Sequence, residues 1–124
     1  GLANVAARQH NYQTAVDLYG RSLAVQPGNA IVRTNLANAL AASGKSGSAE
    51  REYRTAVESD PSSIPARLGL ALVLARTGSL QRAESECLEI LQLEPNHGAA
   101  MRLLARIRLD RRIAQPRGAI HTKG

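Results

Sequence analysis

Pro27, Pro61 and Pro95 stand 34 residues apart, and four other series of residues keep the same interval. Ala15, Ala49 and Ala83 form one; Leu2, Leu36 and Leu70 another; Ala3, Ala37 and Ala71 a third; Tyr19, Tyr53 and Cys87 the fourth. Gly44 and Gly78 also keep the interval, with His10 in the equivalent place of the first copy. A period of this length marks a supersecondary unit that cannot bury its apolar face alone, so successive units must stack into an array.

The second copy shows what the unit is. Val32, Leu36, Ala37 and Leu40 recur at helical spacing and make one apolar stripe. Gly44 falls where that helix ends and can take the left-handed conformation of a C-terminal cap. A second stripe runs through Ala49, Tyr53 and Ala56 until Asp60-Pro61 stops it. Each unit is a helix, a tight turn, a second helix and a proline-marked turn. Ala37 and Ala49 let the two backbones approach, and Tyr53 fills the wedge between them.

Composition agrees with an all-helical reading. The 124 residues include 21 Ala and 16 Leu but no Phe, no Trp and three Tyr. Ala and Leu are strong helix formers, whereas a sheet protein needs β-branched and aromatic residues in alternation. The lone Cys87 excludes a disulfide-stapled scaffold and leaves cytosol and periplasm equally open. No apolar run reaches the ~20 residues of a membrane span. Fourteen of the 16 basic residues are Arg, which suggests a GC-rich, bacterial coding source.

The spacing predicts helices from the chain start to about residue 9 and over 12–25, 30–43, 46–59, 64–77, 80–93 and 97–113. Ser63 is expected to cap the fifth, with Pro65 in its first turn, and Asn96 the last. The pattern Leu36-Ala37-x2-Leu40, Ala49-x3-Tyr53, Pro61, repeated as Leu70-Ala71-x2-Leu74, Ala83-x3-Cys87, Pro95, resembles the tetratricopeptide repeat (TPR). Arg33 and Arg67 depart from that pattern at its opening aromatic position, and Cys87 at the wedge. The resemblance implies a right-handed α-solenoid of antiparallel helix pairs over residues 1–113. The repeats are placed at about 1–29, 30–63 and 64–97. A capping helix at 98–113 presents Met101, Leu104, Ala105 and Ile107 inward and Arg108 where Leu40 and Leu74 stand earlier. Residues 114–124, with Gln115-Pro116-Arg117-Gly118, are expected to form a flexible basic tail. The chain start, half a helix short, reads as a cut through a longer array.

Little in the sequence suggests catalysis. Gly44-Lys45-Ser46 ends like a phosphate-binding loop, but Ala39 occupies the place of that loop's first glycine. His10, His97, His121 and Cys87 lack metal-ligand spacing, no nucleophile–base constellation appears, and no cofactor is implied. Charge is uneven: residues 1–97 are neutral overall, and the +6 excess lies in residues 98–124. That basic end reads as a solvated cap, as a site for an acidic protein partner, or as a surface for nucleic acid or lipid, for which stacking aromatics are absent.

In such arrays the first helices line the concave side. The candidate peptide-binding residues are therefore Asn4 and Arg8 in the first repeat and Thr34, Asn35 and Asn38 in the second. Leu68, Leu72 and Arg76 follow in the third, and Arg102 and Arg106 in the cap helix. Asn donates and accepts, so a row of Asn can hold an extended peptide backbone. The family's chaperone-tail clamp wants basic residues where Pro65 and Gly69 stand, which argues against that ligand. The expected function is a protein–protein interaction scaffold binding a peptide or helix of a partner protein in the groove. Two alternatives remain open: a regulatory or substrate-presenting array of a larger enzyme, and a self-assembling unit that associates through the open first repeat.

Overall fold

The computed structural model describes the backbone of residues 2–114 and the side chains of residues 11–114. The expected tail therefore falls almost wholly outside the described residues, as do the side chains of Asn4 and Arg8. Six helices follow one another: α1 (Leu2–Val25), α2 (Ala30–Ala42), α3 (Ser46–Ser59), α4 (Ile64–Arg76), α5 (Leu80–Leu93) and α6 (Gly98–Ala114). Among the described residues there is no strand, and no helix is long and apolar enough to cross a membrane.

Local chemistry sets these boundaries. Asn29 Oδ1 accepts the Val32 N–H at 3.0 Å, and Ser63 Oγ accepts the Ala66 N–H at 3.2 Å, so α2 and α4 begin with satisfied backbone donors. Gly44 and Gly78 take φ of +87° and +90°, the left-handed conformation that lets α2 and α4 end and reverse. The Lys45 N–H then reaches back to the Leu40 carbonyl and the Ser79 N–H to the Leu74 carbonyl, as a glycine-ended helix requires.

Two expectations fail at the ends of the array. The predicted break near residue 10 is absent, and α1 runs unbroken to Val25. His10 stands where the later repeats have glycine, and a side chain makes the left-handed turn costly, so the helix continues. At α6 the cap is His97, whose Nδ1 accepts the Ala100 N–H at 3.1 Å, and not Asn96, one residue too early to reach the first turn.

Adjacent helices pack in order, α2 on α3, α3 on α4, α4 on α5 and α5 on α6. In addition α2 packs on α4 and α4 on α6, whereas α3 and α5 stand further apart, bridged by the Arg82–Glu50 ion pair at 3.3 Å. First helices thus crowd together while second helices splay, which bends the stack and puts α2, α4 and α6 on its inner, concave side. The core alternates very small and large side chains. Ala37, Ala49, Ala71 and Ala83 are fully buried where helices cross, and Leu74, Cys87, Ile90 and Ile107 fill the spaces between. Each such buried large aliphatic contributes about 1.5–3 kcal/mol, so the seams, not the polar surface, hold the stack together.

Candidate functional site

The inner face is built from helix phase. On α2, Leu36, Ala37 and Leu40 turn into the core, so Asn35 and Asn38 are left exposed to solvent. On α4 the same phase buries Leu70, Ala71 and Leu74, leaves Leu72 48 % exposed and Arg76 exposed, and half-buries Leu68. On α6 it exposes Arg102 and Arg106. Asn38, Leu72 and Arg106 occupy equivalent positions one period apart, so they form a polar, apolar, cationic row across three neighbouring helices.

Thr34 does not belong to this face. It is buried, and its hydroxyl donates to the Ala30 carbonyl at 2.8 Å within α2. A helical Thr buried this way satisfies its own hydroxyl and has nothing to offer a ligand. The inward set proposed for α6 is also corrected: Leu104 and Ile107 are buried, but Met101 is 50 % exposed, Ala105 is exposed, and Ala100 takes the inward place. The buried residues 100, 104 and 107 follow one helix stripe, and Met101 and Ala105 lie beside it, away from the α4–α5 layer.

Tyr53 is a residue that sequence reasoning assigned to the core alone. Its ring is buried, but it passes between α2 and α4 and its hydroxyl donates to Asn38 Oδ1 on the inner face. Gly69 makes this possible, since a Cβ there would overlap the ring's Cε1 and Cζ. Burial pushes the Tyr53 hydroxyl above its ordinary range, with the nearby Arg76 charge pulling the other way, so the phenol stays protonated and donating at neutral pH. With Oδ1 taken, the Asn38 amide keeps its two N–H donors for an incoming acceptor.

Free positive charge increases along the face. Arg76 and Arg102 have no ion-pair or hydrogen-bond partner among the described residues, and Arg106 pairs only with Asp110, at 3.3 Å and well exposed. Arg108 and Arg111 are committed elsewhere: both bond to Glu84 of α5, Arg108 Nε at 2.9 Å, and this clasp fastens α6 to the stack. The hydrogen bond from Arg108, joined by that from Arg111, holds the Glu84 carboxyl below its ordinary range against the opposing effect of burial.

Two open depressions mark the surface, and the first borders the row. One, of about 390 Å³, lies between α1 and α2 and is lined by Tyr12, Ala15, Tyr19, Asn35, Asn38, Ala39 and Ala42. The other, of about 440 Å³, lies between the α4–α5 turn and the end of α6, with Arg82 and Arg111 on its walls. Those two arginines already face Glu50 and Glu84. No group of three or more potential metal ligands occurs among the described residues. Cys87 is buried, and desolvation with the nearby Glu84 and Glu86 charges pushes its thiol up to about 11, leaving a neutral, unreactive sulfur.

Comparison with known proteins accounts for the architecture. A family model described as tetratricopeptide repeat matches residues 1–64 and again 34–97. The TPR repeat-containing thioredoxin TTL4 of Arabidopsis thaliana is 46 % identical over 59 residues, a match covering 48 % of this chain and 9 % of that protein. The chain thus spans a small part of this relative's length. Among solved structures, the first TPR of Spaghetti (RPAP3), bound to the HSP90 peptide SRMEEVD, superposes with a TM-score of 0.79 at 27 % identity, covering 90 % of this chain and 87 % of that one. The second TPR domain of human RPAP3, in complex with the HSP70 peptide SGPTIEEVD, gives 0.76 at 27 % identity, covering 85 % and 88 %. A plant relative and a human neighbour lend the bacterial source suggested by the arginine bias no support.

Proposed function

Because this chain belongs to the tetratricopeptide repeat family, we propose that it is an interaction module that holds an extended, acidic segment of a partner protein across its inner face. The observation that carries this reading is the row Asn38, Leu72, Arg106, exposed on three successive inner helices. In this reading the Asn38 amide, oriented by Tyr53, donates to a peptide carbonyl, and Asn35 adds a second polar contact. Leu68 and Leu72 receive an apolar side chain between acidic ones. Arg76, Arg102 and Arg106 then meet carboxylates at the far end.

Both structural neighbours named above hold peptides ending in EEVD, which supports an acidic ligand for this face. The positions equivalent to the family's third-repeat clamp are Pro65 and Gly69, and the Tyr53 ring already fills the space over Gly69. We therefore place the carboxylate-binding charges at Arg76, the last residue of α4, and one helix further on, at Arg102 and Arg106 of α6. The chain itself is read as a non-enzyme. A second reading, a repeat array serving a larger polypeptide, draws support from the likeness to a TPR-containing thioredoxin.

The test is titration of the 124-residue chain with short extended peptides of one length whose ends carry Glu, Gln or Lys. The Glu series should bind most tightly and lose affinity as salt rises, since the contact is between exposed charges. Equal affinity for the Glu and Lys series would overturn the proposal.

A further inference from the structure

Within the two complete repeats, each first helix buries one side against its own second helix. Ala37 meets the α3 side and Ala71 the α5 side, and they are fully buried together with Ala49 and Ala83. Helix α6 repeats this phase, with Leu104-Ala105 one period after Leu70-Ala71. Yet Ala105 is exposed, Met101 is 50 % exposed, and no described residue covers that side. Helix α1 shows the reverse. Ala15 and Tyr19, one period before Ala49 and Tyr53, are only half-buried and border the open 390 Å³ groove beside α2. Among the described residues, α6 thus has no second helix packed on its Ala105 side, and the Ala15–Tyr19 side of α1 has no preceding first helix packed on it.

The two ends also share a matched change of chemistry. Arg33 pairs with Glu52 at 2.7 Å, and Arg67 pairs with Glu86 at 2.9 Å, joining first to second helix at the same place in each repeat. Moved one period beyond Arg67, the arginine position is Met101; moved one period before Glu52, the glutamate position is Leu18. Both have become apolar, and both are exposed, at 50 % and 57 %. An arginine against Leu18, or a glutamate against Met101, would bury an unpaired charge, but Met101 against Leu18 makes a dry contact.

We propose that α6 of one copy docks into the α1 groove of a second copy and completes a repeat between the two molecules. Met101 packs on Leu18 of the other copy and Ala105 on Ala15, in the register of the internal helix pairs. The same register sets Arg106 one step before Asn38, so the inner face runs on across the junction. Head-to-tail contacts of this kind do not close on themselves, and the product is a series of lengthening oligomers. This association stands independently of peptide binding.

Sedimentation velocity with light scattering on the full chain, from about 10 µM to 1 mM, tests it in the range where small interfaces associate. Average mass should rise with concentration through dimer to longer species. Met101→Arg and Leu18→Glu alone should each weaken association about tenfold or more. The double variant, which rebuilds the Arg–Glu pair of the internal repeats across the junction, should regain it. Both side chains are exposed, so circular-dichroism melts should match wild type in all three. A chain that stays monomeric at every concentration overturns the proposal. So does association that the single variants leave unchanged, or one that the double variant fails to restore.

Discussion

Arg33 and Glu52 lie 2.7 Å apart and tie the first turn of α2 to the middle of α3, at a position where the family pattern has an aromatic residue. The guanidinium also donates to the Pro27 carbonyl at 2.8 Å, so one side chain joins two helices and the preceding turn. Arg67 does the same one period on, with Glu86 at 2.9 Å and the Pro61 carbonyl at 2.7 Å. The departure from the family pattern therefore replaces packing by hydrogen bonding at the same joint. The two copies differ in one respect: Arg67 uses Nε for the carbonyl, whereas Arg33 leaves its buried Nε without a partner.

That difference gives the first prediction. Arg67→Ala should cost about 1–3 kcal/mol, from the loss of charge-assisted bonds in a half-buried setting. Arg33→Ala should cost less, by about 1 kcal/mol, because an unsatisfied donor is removed with it. Urea denaturation of both variants checks this; an Arg33→Ala loss as large as that of Arg67→Ala would contradict it.

The second concerns Gly69 and Tyr53. Gly69→Ala should destabilise by about 1–3 kcal/mol, since the added Cβ forces the Tyr53 ring from its slot. Tyr53→Phe keeps the ring and loses only the hydroxyl bond to Asn38, so its melt should fall by much less. Its peptide affinity should nevertheless drop, because Asn38 loses its orientation. Thermal melts paired with binding titrations separate the two effects.

Acid should loosen α6 first. Glu84 has a depressed pKa in the folded protein, so the unfolded chain takes up a proton there more readily as pH falls. Its stabilising contribution is complete above the ordinary carboxylate value and is lost as pH drops through the lower folded value. Melting curves between neutral pH and about pH 3 should therefore show an acid loss that Glu84→Gln makes smaller, starting from a less stable neutral state. Equal acid sensitivity in the two proteins would contradict the clasp.

Much of this was legible from the period alone. Helices α2 to α5 begin where their spacing predicts and end within one residue of it, because glycine, proline and capping side chains mark each boundary. The misses occur where one residue type departs from the repeat. His10 in a glycine position left α1 unbroken. Thr34 satisfied its hydroxyl inside its own helix, and the period says nothing of that choice. The period marks Tyr53 as a wedge, but its hydroxyl reaches the inner face only because Gly69, 16 residues later, clears the way. On α6 the expected Leu104 and Ile107 are buried but Met101 and Ala105 are exposed, because the period gives which positions are equivalent, and not which of them a neighbouring helix covers.

The central claim is that the inner row holds an acidic segment, and calorimetric titration of the Glu-ended peptide into three proteins tests it most directly. Against wild type, Asn35→Ala with Asn38→Ala should bind about tenfold or more weakly, from two lost hydrogen bonds of roughly 0.5–1.5 kcal/mol each. Arg102→Glu with Arg106→Glu should weaken binding further and flatten its dependence on salt. Arg102 and Arg106 are exposed, so the melt of their double variant should stay near wild type, whereas the Asn variant, which leaves the Tyr53 hydroxyl without its Asn38 acceptor, should lose about 1–2 kcal/mol. Unchanged affinity in both double variants would place the ligand elsewhere and contradict the account.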